Sequence, residues 1–295
     1  MRVCALILAA LATTTLDWSG AAHAAAPAEQ RLGHISIVSE GSGSPVVLIP
    51  GLSSPRAVWD GIAPELARSH RVIRVQVNGF GGDDAGENLK PGVLAGVVGD
   101  VHSYLAAQKL GPAKIIGHSL GGLVALQLAK AHPEDASALM IVDSLPFIAD
   151  IIMPNATVAQ VEPQAKAMRD QIVGSYGKPD VAGAQHTAET LSLTPAARAK
   201  VQSWVEKADA RVSGEALYED FVTDLRPDLA QIATPITLVF PYSPAAMPKE
   251  RAEPFYHGEY AKAPHVTFVP VADSGHFVML DQPQAFAAAV RDFVK

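Results

Sequence analysis

Ser119, flanked by glycines at 117 and 121, is the residue of this chain best placed to do chemistry. In Gly117-His118-Ser119-Leu120-Gly121 it follows a short apolar run, Lys114-Ile115-Ile116. It precedes Leu123, Leu126, Leu128 and Ala129, which recur at helical spacing. A lone G-x-S-x-G pentapeptide occurs by chance; strand, sharp turn and helix together make it a nucleophile-bearing turn. The glycines let the chain turn, which holds the serine in a strained conformation at the strand end. Its Oγ is then presented at a helix N-terminus, where developing negative charge is favoured. The competing reading is a tight glycine turn with a capping serine, and the flanking strand and helix argue against it. His118 is expected to be a structural neighbour whose side chain points away from a substrate.

A serine hydroxyl is a poor nucleophile unless a base lies within hydrogen-bond reach. His276, in Asp273-Ser274-Gly275-His276-Phe277, is the candidate base. An unoriented imidazole can carry its proton on the wrong nitrogen, so a carboxylate partner is required. Asp143 follows the apolar run Leu139-Met140-Ile141-Val142, one helix beyond the serine. In a parallel sheet its carboxylate emerges at the same edge as Ser119. Asp220 and Asp224 fall on a helical stretch where solvated positions are expected. Glu250 is the remaining alternative, and Asp273 is too close to His276 in sequence to orient it easily.

The elements that must position these groups alternate between strand and helix, the pattern of an α/β sheet. Apolar runs of strand length occupy 35–38, 46–49, 72–75, 114–116, 139–142, 236–240 and 266–269. Val93, Val97, Val101 and Leu105 mark one helix, and Phe286, Val290 and Phe293 mark the last, entered through Pro283. Residues 146–225 lack β-branched runs and show helical spacing instead. There Thr194-Pro195 predicts an N-cap with a first-turn proline, and Tyr218, Phe221, Val222 and Leu225 share a face. A crossover needs far fewer residues, so this stretch is expected to form a helical cap inserted between core parts at 31–145 and 226–295.

The 295 residues, 48% apolar and 18% charged, suit a globular enzyme with one main core. A net charge of −7 with no block of like charge gives no sign of a nucleic-acid partner. Residues 1–24 predict a signal peptide. Arg2 supplies the positive end, an apolar run follows that is too short for a bilayer span, and Ala22-His23-Ala24 offers a small-x-small cleavage site. The single cysteine, Cys4, lies within that leader and lacks a lipoprotein context. A periplasmic or secreted location without a stable membrane anchor is therefore expected. No H-x-x-x-H or Cys/His cluster implies a metal, and no cofactor is implied.

The chain resembles the α/β-hydrolase superfamily. The likeness rests on Ile49-Pro50-Gly51-Leu52, on Asn78-Gly79-Phe80-Gly81, on the serine turn and on the segment around His276. It implies a mostly parallel sheet flanked by helices, with an inserted helical cap. It also implies an oxyanion hole formed by the backbone N–H groups of Leu52 and Leu120. The family usually has His-Gly where this chain has Pro50-Gly51; backbone donors do not depend on that side chain. The family most often carries its acid just after the strand at 236–240, but Pro241 to Ala246 contain no carboxylate. A minority, including some haloalkane dehalogenases, carries it after the preceding strand, the place of Asp143. The Gly275-His276 pair matches the position of the family's base. Serine at the turn excludes the aspartate-nucleophile relatives.

The activity these residues imply is hydrolysis of carboxylic esters or lactones through an acyl-enzyme, as in carboxylesterases and lipase-like enzymes. Ser119 is the nucleophile, His276 the base and Asp143 its partner; the expected substrate is a small, apolar ester. Two alternatives share the residues: a carbon–carbon bond hydrolase, and a ligand receptor built on the same scaffold.

Overall fold

The computed structural model describes residues 28–178, 180–244 and 246–295. The leader expected at 1–24 lies outside them. Among the described residues eight strands form one sheet: β1 (Glu29–Arg31), β2 (Ile35–Glu40), β3 (Ser44–Ile49), β4 (His70–Val77), β5 (Ala113–His118), β6 (Ala136–Val142), β7 (Ile236–Tyr242) and β8 (Val266–Ala272). Their order is β1-β2-β4-β3-β5-β6-β7-β8. The pairs β1/β2 and β2/β4 are antiparallel, and every pair from β4 to β8 is parallel. β1 was not read from the sequence; its three residues are exposed and polar, so hydropathy gave no signal.

The apolar runs are continuous because both faces of the sheet are covered. Val47, Ile49, Ile115, Leu139, Ile141 and Leu238 point into one core. Their neighbours Val46, Leu48, Ile116, Met140, Val142 and Val239 point into the other. This is the two-residue period of a strand buried on each side. The first core is closed by α2 (Val93–Gln108), α3 (Leu120–Ala131) and α8 (Lys249–Glu259); the second by α1 (Ala63–Leu66), α9 (Val278–Asp281) and α10 (Pro283–Val294).

Four helices lie between β6 and β7: α4 (Val158–Gly174), α5 (Val181–Leu191), α6 (Pro195–Lys207) and α7 (Ala210–Val222). α6 begins as its sequence indicates, with the Thr194 hydroxyl accepting the Ala197 N–H and Pro195 in the first turn. The insertion has a small core of its own around Phe147, Val161, Ala165 and Phe221. Arg226 fastens it to the loop after β6 by pairing with Asp150 and Asp224 and donating to the Ala156 carbonyl. At the other end the Glu219 carboxylate of α7 accepts the N–H groups of Val93 and Leu94 at the start of α2, where negative charge meets the positive end of the helix. Among the described residues no helix is long and apolar enough to cross a membrane.

Candidate active site

The parallel register sets the site. Ile49 pairs with Gly117, His118 with Val142, and Val142 with Val239. The residues that follow β3, β5 and β6 therefore leave the sheet at one edge, and these are Leu52, Ser119 and Asp143. The Ser119 N–H donates to the Val142 carbonyl at 3.0 Å, which ties the serine turn to the strand that carries Asp143.

Ser119 has φ 53° and ψ −124°, a backbone conformation that costs free energy in any residue with a side chain. Two glycines make it possible. A Cβ on Gly117 would lie 2.2 Å from the Gly121 carbonyl oxygen, and one on Gly121 would lie 2.3 Å from that of Ile49. The turn is thus closed by direct backbone contact. α3 starts at Leu120, so the Leu120 N–H precedes any intrahelical acceptor.

The His276 ring and the Asp143 carboxylate meet, with Nδ1 2.6 Å from Oδ2. An ionised carboxylate only accepts, so Nδ1 carries the hydrogen and Nε2 is left with its lone pair. The other carboxylate oxygen accepts a hydrogen bond from the Tyr256 hydroxyl. Burial, and then the charge of Asp143, push that hydroxyl well above its ordinary range, so it remains a donor. Asp143 itself is held at φ 44°, and its N–H donates to the Val239 carbonyl.

His118 is sealed from solvent, and its Nε2–H donates to the His276 carbonyl at 3.1 Å. Burial, and then the neighbouring His276, hold it well below the usual imidazole range, so it is neutral. It braces the His276 loop from below. The same loop is held from the other side by Asp281, whose carboxylate accepts the N–H groups of Gly275, Leu193 and Thr194.

Ser119, His276 and Leu52 line one cavity of about 910 Å³ between the sheet edge and the inserted helices. Ile148, Leu191, Val201, Trp204, Leu217 and Phe277 give it apolar walls. Its size and lining match a site for a small organic molecule.

Three of the alternative acids fall elsewhere. Glu250 and Asp273 are exposed, and Asp224 is paired with Arg226 beyond the end of α7. Asp220 corrects its sequence reading. It was expected on a solvated face but is 4% exposed and lines the cavity. The face of α7 through Ser213, Leu217 and Asp220 turns inward, and hydropathy alone points a charged residue outward. Burial pushes this carboxyl up to about 7, and only a protonated His276 would oppose the rise. Tyr256 was also missed. Its helix carries Pro254 and a row of charged residues, and the one available signal was the pair Ala252 and Tyr256, four apart and both buried.

Residues 46–289 match the profile of the "Alpha/beta hydrolase family". A pimeloyl-[acyl-carrier protein] methyl ester esterase of Aeromonas hydrophila is 27% identical over 274 residues, covering 88% of this chain and 99% of that one. The enzyme of the same name from Neisseria meningitidis is 30% identical, covering 85% and 92%. Among solved structures, a thermophilic esterase from Thermogutta terrifontis superposes with a TM-score of 0.74 at 22% identity, covering 90% of this chain and 98% of that one. An enol-lactonase from Burkholderia xenovorans gives 0.71 at 18% identity, covering 88% and 96%. These last two are likenesses of fold. The sheet, the inserted helices and the family match over most of the chain lead to one assignment: this protein belongs to the alpha/beta hydrolase family.

Proposed function

We propose that the protein is a serine hydrolase that cleaves carboxylic esters or lactones through an acyl-enzyme. The observation that carries this reading is the Asp143–His276 hydrogen bond, which leaves Nε2 unprotonated in the cavity that also holds the strained Ser119. Nε2 takes the Ser119 proton as Oγ attacks the carbonyl carbon. The imidazolium that results is stabilised by Asp143, whose charge is shared with the Tyr256 hydroxyl. The oxyanion is received by the N–H groups of Leu52 and Leu120, backbone donors whose loss in comparable sites costs several kcal/mol of barrier. His276 then protonates the leaving oxygen, and water releases the acid by the same steps in reverse roles. The named activities of the relatives, an ester hydrolysis and a lactone opening, use this chemistry.

The apolar cavity walls favour a small substrate with an apolar body. Export belongs to the same reading, through the leader at 1–24. The test is turnover of a chromogenic short-chain ester, together with labelling by a phosphonate. Wild-type protein should turn over the ester and be labelled at Ser119 alone, and Ser119→Ala should do neither. Labelling that persists in Ser119→Ala overturns the assignment. N-terminal sequencing of exported material should begin near Ala25, following cleavage after Ala24 or, as a second choice, after Ala26; material that still begins at Met1 overturns the export reading.

A further inference from the structure

Most buried carboxyls of this protein have protein partners. Among the described residues, Asp281 accepts three backbone N–H groups, Asp135 pairs with His102, and Asp150 pairs with Arg226. Asp220 differs. It is as deeply buried as these, yet among the described residues no group donates a hydrogen bond to its side chain, which faces the cavity. It lines the cavity that holds Ser119 and His276. A buried polar group without a protein partner is costly, and such groups recur where a ligand or an ordered water completes them. Leu217 on the same helix and Phe277 after His276 give the cavity apolar wall, while Ser53 and Ser213 also line it.

We propose that Asp220 is a specificity-determining residue. It accepts a hydrogen bond from a hydroxyl or amide N–H that the substrate carries near its scissile carbonyl. This deepens the esterase reading and rests on it. Asp220 lines the same cavity as Ser119 and His276, so the polar substituent shares that cavity with the reacting carbon. The same position selects a neutral donor over an ammonium group. His276 becomes a cation each time it accepts the serine proton, and a fixed positive charge alongside would oppose that step. The substrate class is thus an ester or lactone with an apolar body and one hydroxyl or acylamino substituent on its acyl side. With its proton held up to about 7, the carboxyl serves as an acceptor when ionised and can donate to a substituent oxygen when protonated.

The test compares matched 4-nitrophenyl esters: butanoate against 3-hydroxybutanoate, and butanoate against N-acetylglycinate. Each is measured on the full-length wild type, Asp220→Asn and Asp220→Leu. The quantity read is the ratio of kcat/KM within each pair. Any loss of folded protein cancels in it, because both esters meet the same active molecules. Wild type should favour at least one polar ester over butanoate by roughly ten- to a hundredfold, the range for a hydrogen bond to a charged group. Asp220→Leu should bring that ratio close to one, chiefly by raising KM for the polar ester. Asp220→Asn, which keeps an acceptor oxygen, should fall between. A ratio that is the same in wild type and Asp220→Leu overturns the proposal, as does a wild-type preference for butanoate over both polar esters. If no ester is turned over and Ser119 resists the phosphonate, the esterase reading itself fails and this inference falls with it.

Discussion

Replacing Asp220 by asparagine should make the protein more stable above neutral pH, by an amount that depends on pH in a defined way. The carboxyl is buried and unpartnered, so in the folded protein it holds its proton up to about 7, against an ordinary value of 3.8. An unfolded chain releases that proton near the ordinary value. Between the two the folded state binds more protons than the unfolded state, so stability falls as pH rises. Each pH unit across the window costs about 1.4 kcal/mol, and the loss from this one residue approaches roughly 4 kcal/mol by pH 8. Asparagine has no charge to bury, so its own cost is constant with pH. The difference in unfolding free energy between Asp220→Asn and wild type should therefore grow by a few kcal/mol from pH 4.5 to pH 8. Glu259, pushed up to about 7 chiefly by burial, slopes the same way in both proteins and cancels in the difference. Urea denaturation at closely spaced pH values measures it. A difference that stays flat from pH 4.5 to pH 8 refutes the reasoning, because it would mean the carboxyl ionises alike in both states.

Three further substitutions probe the support of the site. If Asp143 is the acid proposed above, Asp143→Asn should lower kcat by about 10⁴-fold, by analogy with triad aspartates elsewhere, with little change in KM; near-normal turnover in steady-state kinetics would move the role elsewhere. Tyr256→Phe removes the donor to the second oxygen of Asp143 and should lower kcat by roughly tenfold, the worth of one hydrogen bond to a charged group. Steady-state kinetics with an unchanged KM is the signature to look for. Asp281→Ala strands the N–H groups of Gly275, Leu193 and Thr194. It should cost about 3 kcal/mol or more in urea unfolding, and a loss under 1 kcal/mol would show that water replaces the carboxylate.

Much of the sheet was legible because burial on both faces writes a strand as an unbroken apolar run, as in Val46-Val47-Leu48-Ile49. The serine turn was legible because its glycines stand where backbone meets backbone, a requirement local to a few residues. The placement of Asp143 beside Ser119 was legible because a parallel sheet brings the residues after neighbouring strands to one edge, whatever lies between them in sequence. What stayed hidden shares a different cause. Asp220 and Tyr256 are placed by tertiary contacts that work against their own polarity. A charged residue that faces an internal cavity looks, in one dimension, like a charged residue that faces water. α8 was obscured for a related reason, since its buried side rests on few residues and its proline and charges read as a loop.

The serine and the aspartate sit at the ends of two central strands bonded to each other, whereas the histidine hangs from β8, the last strand of the sheet. β8 pairs on one side only, and its side chains are mostly not buried. Edge elements of this kind exchange their amide hydrogens through local openings well below the free energy of global unfolding. A mild opening of β8 and the turn after it would withdraw the proposed base, His276, while β5 and β6 stay intact. Under gentle heating, catalysis should thus fade and return reversibly before any signal from the central sheet changes, with amide exchange in β8 rising in step with the loss.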